Sequence, residues 1–230
     1  MIDELTLEVS HKCNLKCMHC SSRRFDCNLH FGDVTKLVNK YKPSIIRWSG
    51  GEPFIYLTSD YLTINTQEIK NVVSTNGTFK NSIYKYYNLI DEIRISVYGF
   101  REFHDGVTGV SGTFDKVIDT LESFSINTDF KNKFVITSPY WNLNQIQQVE
   151  DISNRFDLKC RITSLVPPVY NNKIIGNICS HVYNNKIIGN TCSVGVGKCN
   201  YNKKILIQPN GSIVHCATEK RGFGCKFKEL

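Results

Sequence analysis

No apolar run in this 230-residue sequence approaches the ~18 residues of a membrane-spanning helix. The opening segment, Met1-Ile-Asp-Glu-Leu5, lacks the basic and apolar regions of a secretory signal, so a cytoplasmic location is expected. Any basic block or basic helix is missing too. The formal charge is +7, from 28 Lys and Arg against 21 Asp and Glu, and charge dispersed in this way argues little for nucleic acid. With 41% hydrophobic and 21% charged residues, the composition is that of a folded chain long enough to bury a core without disulfide staples.

Cysteine is absent between residues 27 and 160 and dense at both ends. The ten cysteines stand at 13, 17, 20, 27, 160, 179, 192, 199, 216 and 225. A cytoplasmic chain keeps its thiols reduced, so this many cysteines point to metal rather than to disulfides.

Between the cysteine-rich ends, short β-branched runs alternate with amphipathic stretches. Strands are predicted at 5–9, 45–48, 72–75, 92–97, 134–137 and 160–164. Helices are predicted at 34–41, around 61–70, and at 79–87, 114–124 and 143–156, with Thr113 as the N-cap of the fourth. Six βα-like units imply a parallel sheet, either wound flat or curled into an open barrel, with ligands at the C-terminal ends of the strands. After Pro167-Pro168 the pattern changes. Residues 169–181 (VYNNKIIGNICSH) and 182–194 (VYNNKIIGNTCSV) differ at two positions. Two copies are too few for a solenoid, so the reading is a tandem duplication in a tolerant loop that sets Cys179 and Cys192 at matched positions.

Cys13, Cys17 and Cys20 form C-x3-C-x2-C after the first strand. Three thiolates this close can converge on one metal centre. One reading is zinc, with His11 or His19 as fourth ligand. The other is an iron–sulfur cluster with one iron left open. Ser49-Gly50-Gly51-Glu52-Pro53 follows the second strand. Two glycines there let backbone groups approach a ligand closely, and Pro53 fixes the turn.

Together these motifs resemble the radical S-adenosylmethionine (radical SAM) superfamily, over residues 5 to about 165. The resemblance implies a partial (β/α)6 barrel and this chemistry. Cys13, Cys17 and Cys20 hold a four-iron four-sulfur cluster whose open iron chelates SAM. Gly50, Gly51, Glu52 and Pro53 orient the methionine moiety. Ser74 and Asn76 end the third strand where the family places SAM-contacting groups. Ser96 matches the ribose-contacting position, and Arg161 lies near where the family holds the adenine. Reductive cleavage of SAM then yields a 5′-deoxyadenosyl radical that abstracts a substrate hydrogen. His19 occupies a position often aromatic in the family and is expected to pack on the cluster or SAM.

The tail adds Cys199, Gly211 and Cys216 in the pattern C-x11-G-x4-C, with Asn210-Gly211 as a hairpin turn. This resembles the opening of the SPASM and Twitch extensions and implies one auxiliary four-iron four-sulfur cluster on Cys192, Cys199, Cys216 and Cys225, with Cys179 able to replace Cys192. A four-cysteine zinc site, a cluster on three ligands with an open iron that binds substrate, and free thiols are the other readings. Cys27 and Cys160 read as buried small hydrophobes. The expected organisation is a core at 1–168, the duplicated loop at 169–194 and the cysteine-rich extension at 195–230.

The stretch Tyr98-Gly99 to Phe114 resembles one common in SPASM/Twitch enzymes. Within it, His104-Asp105 is read as a loop hydrogen-bond pair or helix cap, with a proton carrier as the alternative. The expected substrate is a peptide or small metabolite, and the expected electron donor is a flavodoxin or ferredoxin. No leader-peptide recognition domain is evident before the first strand. Two other functions stay open: an activase that installs a glycyl radical on a partner enzyme, and a non-catalytic iron–sulfur or zinc module.

Overall fold

The computed structural model describes residues 2–20, 26–64, 69–139 and 141–163, and beyond them the segments 169–170, 173–174, 181–183, 186–188, 204–209 and 213–214. The first half of the main unit runs β1 (Glu4–Ser10), α1 (Phe31–Tyr41), β2 (Ile45–Gly50), α2 (Ser59–Leu62), β3 (Lys70–Thr75) and α3 (Lys80–Tyr86). The second half runs β4 (Glu92–Ser96), α4 (Arg101–Thr108), α5 (Thr113–Phe124), α6 (Phe130–Lys133), β5 (Phe134–Pro139), α7 (Leu143–Arg155) and β6 (Lys159–Thr163). The six strands are parallel and stand in chain order. A doubly wound sheet would reverse that order at a switch point. This sheet has no reversal and is a partial (β/α)6 barrel.

Parallel register sorts the side chains into two faces. Leu7, Trp48, Val73, Ile93 and Phe134 lie side by side across five strands, and each is 0% exposed. Helices cover this face with single apolar stripes: Val34 and Val38 of α1, Val117, Leu121 and Phe124 of α5, Val149 and Ile152 of α7. The opposite, concave face is polar. Thr6 pairs in register with Arg47, Ser74 with Arg94, and Ser96 with Thr137, which pairs with Arg161. Arg47 donates to Glu4 at 2.8 Å, and Glu92 accepts from both Arg94 and Arg161. Five ionic side chains on the inner face make that face a lining for polar ligands rather than a packed core.

Three local expectations change. Of the helix placed around 61–70, residues 65–68 lie outside the described residues; the described helix there, α2, ends at Leu62, and Lys70 already belongs to β3. The reason is Asn71, which is 5% exposed. Its amide donates to the carbonyls of Leu62 (2.8 Å) and Leu89 (3.1 Å), so it takes an orphan carbonyl at the end of α2. Its oxygen accepts from Trp48 Nε1 at 2.9 Å. Thr113 is not the N-cap of α5, because Gly112 holds that position in the left-handed region and the capping carboxylate comes from Asp105 on α4. Cys27 and Cys160 are half-buried rather than fully buried. Burial pushes the Cys160 thiol up to about 12.

Past β6, the duplicated sequence forms two matching ribbons. β7 (Val169–Tyr170) pairs antiparallel with β8 (Lys173–Ile174), and β9 (His181–Tyr183) with β10 (Lys186–Ile188). Tyr170 faces Lys173 in one copy and Tyr183 faces Lys186 in the other, so the same sequence takes the same register. The predicted hairpin is β11 (Lys204–Ile207) with β12 (Ile213–Val214), and β11 extends the main sheet in parallel beside β1. Cys179, Cys192, Cys199, Cys216 and Cys225 lie outside the described residues. Among the described residues, no helix is long and apolar enough to cross a membrane.

Asn71→Ala strips partners from three buried groups at once. The expected cost is about 3 kcal/mol or more, read as a lowered urea midpoint at unchanged m-value.

Candidate active site

The C-terminal end of β1 leads into the cysteine loop, and that loop is pinned from several sides. Lys16 and Met18 donate their backbone N–H groups to the carbonyls of Thr108 (2.8 Å) and Val107 (3.0 Å) at the end of α4. Leu15 is 4% exposed and anchors the middle. Asn14 donates to Thr78 at 2.9 Å and accepts from Asn76 at 2.9 Å, and Asn76 in turn accepts from the Thr78 hydroxyl at 2.7 Å. The Asn76 amide also lies 3.9 Å from Cys13 Sγ.

The turn after β2 is locked against the same loop. Gly51 N–H donates to the Ser10 carbonyl (2.8 Å) and Glu52 N–H to the Lys12 carbonyl (2.9 Å). Gly50 has φ +127°, and a Cβ there would lie 2.2 Å from the Ser10 oxygen. At Gly51 a Cβ would lie 2.3 Å from the Lys12 oxygen. The backbone that these glycines admit is therefore that of the cysteine loop, not only that of a ligand. Glu52 is 0% exposed and faces inward. One carboxylate oxygen accepts from the Thr75 hydroxyl (2.7 Å) and Phe54 N–H (3.2 Å), the other from Asn76 N–H (2.8 Å). Burial pushes this carboxyl up to about 7 against the pull of those three donors. Pro53 is buried at the start of a 3₁₀ turn, Pro53–Ile55.

Tyr98 stands where these parts meet. It follows β4 two residues beyond Ser96 and is 7% exposed. Burial drives its phenol pKa upward, the thiols of Cys17, Cys20 and Cys13 add to that rise, and a Ser96 hydrogen bond opposes it. His19 packs edge-on against Tyr98 (5.0 Å between centroids) and Trp141 (5.7 Å). His11 is buried with its Nε2 2.9 Å from Glu8, so it is not open as a fourth zinc ligand. Among the described residues, no three metal-binding side chains are assembled as a ready site for a single ion.

His104 and Asp105 divide their work. Asp105 caps α5: it accepts from Phe114 N–H (2.9 Å), the Thr113 hydroxyl (2.7 Å) and Gly112 N–H (2.7 Å). Burial acts to raise its pKa, but these donors outweigh it and hold the carboxyl below the usual range. His104 is 1% exposed, and its Nδ1 accepts from Tyr98 N–H at 3.3 Å. Burial pushes the imidazole down to about 4, against a smaller opposing pull from Asp105. The helix-cap reading holds for Asp105, and His104 is a buried prop beneath Tyr98.

Ser74, Ser96 and Arg161 share the concave face by register, and Arg161 is turned onto Glu92. Sequence reasoning did not single out Thr75, Asn14, Thr78 or Trp141, and it named Tyr98 only as the start of the stretch that runs to Phe114. The inward position of Tyr98 was reachable, since it continues the alternation Glu92, Arg94, Ser96. The others are defined by partners far away in the chain.

A family model for the radical SAM superfamily matches residues 7–137, more than half of the chain. The chain belongs to the radical SAM superfamily. Mycofactocin maturase MftC of Mycolicibacterium smegmatis is 29% identical over 183 residues, covering 71% of this chain and 44% of its own. Fe-coproporphyrin III synthase of Methanosarcina barkeri is 26% identical over 162 residues, covering 65% and 39%. The chain thus spans less than half the length of these curated relatives. Streptococcus suis SuiB, solved with precursor peptide SuiA, superposes with a TM-score of 0.72 at 18% identity, over 94% of this chain and 60% of that one. The structure of anSMEcpe with bound AdoMet gives 0.66 at 17% identity, over 93% and 74%. Both share the fold.

Membership of this superfamily brings a four-iron four-sulfur cluster and SAM as cofactors. The residues present fit them: three thiols on one pinned loop supply a soft donor set with one ligand position to spare, beside a polar barrel face.

The buried His104 generates a pH prediction. A depressed imidazole contributes stability that is complete above its unfolded value near 6.5 and is lost as pH falls toward 4. Glu52 acts with the opposite sign, and it is unchanged in a His104 variant. His104→Asn, which keeps an acceptor for Tyr98 N–H, should lose less stability than wild type between pH 7 and 5. The full difference reaches on the order of 3 kcal/mol at lower pH, read from denaturant midpoints at each pH.

Proposed function

We propose that this chain is the core of an enzyme that reductively cleaves SAM and takes a hydrogen atom from a peptide or small metabolite, with one auxiliary four-iron four-sulfur cluster. Held by Cys13, Cys17 and Cys20, a four-iron four-sulfur cluster with SAM would supply one-electron reductive cleavage of SAM and hydrogen-atom abstraction from substrate. The observation that carries this reading is that Cys13, Cys17 and Cys20 stand on one loop at the C-terminal end of β1, pinned to α4 and with its root hydrogen-bonded to Gly51 and Glu52.

Each residue then has a task. Cys13, Cys17 and Cys20 hold the cluster. Gly50, Gly51, Glu52 and Pro53 set the turn against which the methionine moiety is oriented, and the Glu52 carboxylate acts from beneath by fixing the ends of β2 and β3. Ser74 and Asn76 face SAM from β3, Ser96 the ribose and Arg161 the adenine. Tyr98, His19 and Trp141 wall the site and exclude water, which protects a reactive radical from side reactions. A peptide substrate is supported by MftC being a maturase and by SuiB and anSMEcpe having been solved with peptides bound. The coproporphyrin synthase keeps a small metabolite in view. The auxiliary cluster would use Cys192, Cys199, Cys216 and Cys225, with Cys179 as substitute for Cys192. The β11–β12 hairpin between Cys199 and Cys216 supports that assignment.

After anaerobic reconstitution, about eight irons per chain should fall to about four in a Cys13/Cys17/Cys20→Ala variant. Reduced wild type should release 5′-deoxyadenosine from SAM, and the variant should release none. About four irons falling to none would remove the auxiliary cluster. Zinc in place of iron would sink the radical mechanism.

A further inference from the structure

The inner face of the sheet offers more hydrogen-bond donors than acceptors. Thr6, Arg47, Val72 and Glu92 stand in one register row across β1 to β4, so Arg47 and Glu92 lie two strands apart, about 10 Å. Arg94 follows Glu92 on the same face, about 7 Å further along β4. Glu4 accepts from Arg47 at 2.8 Å and from the Thr6 hydroxyl at 3.2 Å. Glu92 accepts from Arg94 on one oxygen and from Arg161 on the other, the latter at 3.2 Å. Both oxygens of each carboxylate are thereby engaged. Glu8, further along β1 on this face, is 3% exposed and is turned to His11 Nε2 at 2.9 Å.

The arginines keep free donors. A guanidinium carries five N–H groups and grips a carboxylate best through two of them at once. Arg47, Arg94 and Arg161 each give a single nitrogen to a carboxylate. Among the described residues, the buried Arg47 Nε has no acceptor. The three side chains remain 26%, 13% and 46% exposed, so a ligand can reach them. Three guanidiniums against Glu4 and Glu92 leave one positive charge around Arg47 and Arg94. A carboxylate balances one charge and presents the planar pair of oxygens that a guanidinium edge matches. A phosphate group, with nearly two charges at neutral pH, overshoots it.

We propose that Arg47 and Arg94 hold a carboxylate of the substrate inside the barrel, at least one row of side chains deeper than Ser96. This rests on the radical SAM reading above and narrows it: the substrate is a peptide or metabolite that carries a carboxylate. Arg94 stands two residues before Ser96, about 7 Å nearer the start of β4. SAM carries a carboxylate too, but in that reading it belongs to the open iron at the cysteine loop. The two ligands therefore occupy different levels of the barrel and bind together.

The test uses the reconstituted chain, glutarate as the probe, glutaramide as its neutral counterpart and inorganic phosphate as the dianion. Binding is followed by isothermal titration in low-chloride buffer, with and without SAM. Glutarate should bind saturably, equally well with SAM present, and roughly tenfold tighter than either control. Arg94→Gln should weaken glutarate roughly tenfold, and Arg94→Lys, which keeps the charge but not the fork, should fall between. Lys116→Gln, on the exposed side of α5, should change nothing. Acetyl-Gly-Glu-Gly-amide against its Gln analogue then separates a peptide acid from a free metabolite acid. Circular dichroism and iron content identify the variants that are folded and loaded, and the comparisons among probes in wild type need no variant. Unsaturable glutarate binding, tighter phosphate, displacement of glutarate by SAM, or wild-type affinity in folded Arg94→Gln would overturn the proposal. A chain that binds glutarate but takes up no iron and cleaves no SAM would overturn the radical reading and leave the carboxylate site standing.

Discussion

The site depends on a close approach between two pieces of backbone. The turn after β2 lies so near the root of the cysteine loop that Gly50 and Gly51 have no room for a side chain, and two N–H···O bonds close the contact. Glu52 then ties this pair to β3: its carboxylate is 0% exposed and accepts from Thr75, Asn76 and Phe54. A buried carboxyl with three donors is costly to disturb, because losing it leaves those donors unpaired. The ends of three strands are thereby fixed with respect to one another before any cofactor is bound. This is preorganisation in the ordinary sense, with rigid elements supporting the ligands of a site.

The barrel supplies a second constraint through its two unlike faces. Apolar side chains are drawn to the helix side, where rows such as Leu7, Trp48, Val73, Ile93 and Phe134 are excluded from water. That leaves the concave side for Arg47, Arg94, Arg161, Glu4 and Glu92, whose charges are largely matched. Burial lowers the Arg47 guanidinium to about 10 with Glu4 opposing the shift, so it stays charged at neutral pH. Stability and function are thus separated by strand parity: odd-numbered positions of β1 build the core, and even-numbered ones face the ligand side.

Much of this was legible in the sequence because it is local. Alternation within β1 to β6, the C-x3-C-x2-C spacing and the Gly-Gly-Glu-Pro turn are each contained in a few consecutive residues. What was missed is set by distant partners. The helix around 61–70 stops early because Asn71 claims the Leu62 carbonyl. The cap of α5 comes from Asp105, eight residues before Thr113. The helix α4 has only a short buried stripe, His104, Val107 and Thr108, and two of its three members are polar. Nothing local says that β11 will lie against β1, since an edge is chosen by which backbone groups are left unpaired. The glycines of the Gly-Gly-Glu-Pro turn were read as making room for a ligand. Their first neighbour is the chain itself.

The most direct test is the iron and sulfide content of Gly51→Ala after anaerobic reconstitution, with the fold monitored by far-UV circular dichroism. The substitution removes no ligand and no hydrogen bond, and adds one methyl group 2.3 Å from the Lys12 carbonyl oxygen. The close-approach account predicts a folded chain whose cysteine loop is displaced, with iron at that loop reduced several-fold. A folded variant that takes up iron and sulfide at the wild-type level would show that the contact between the two loops does not place the cysteines.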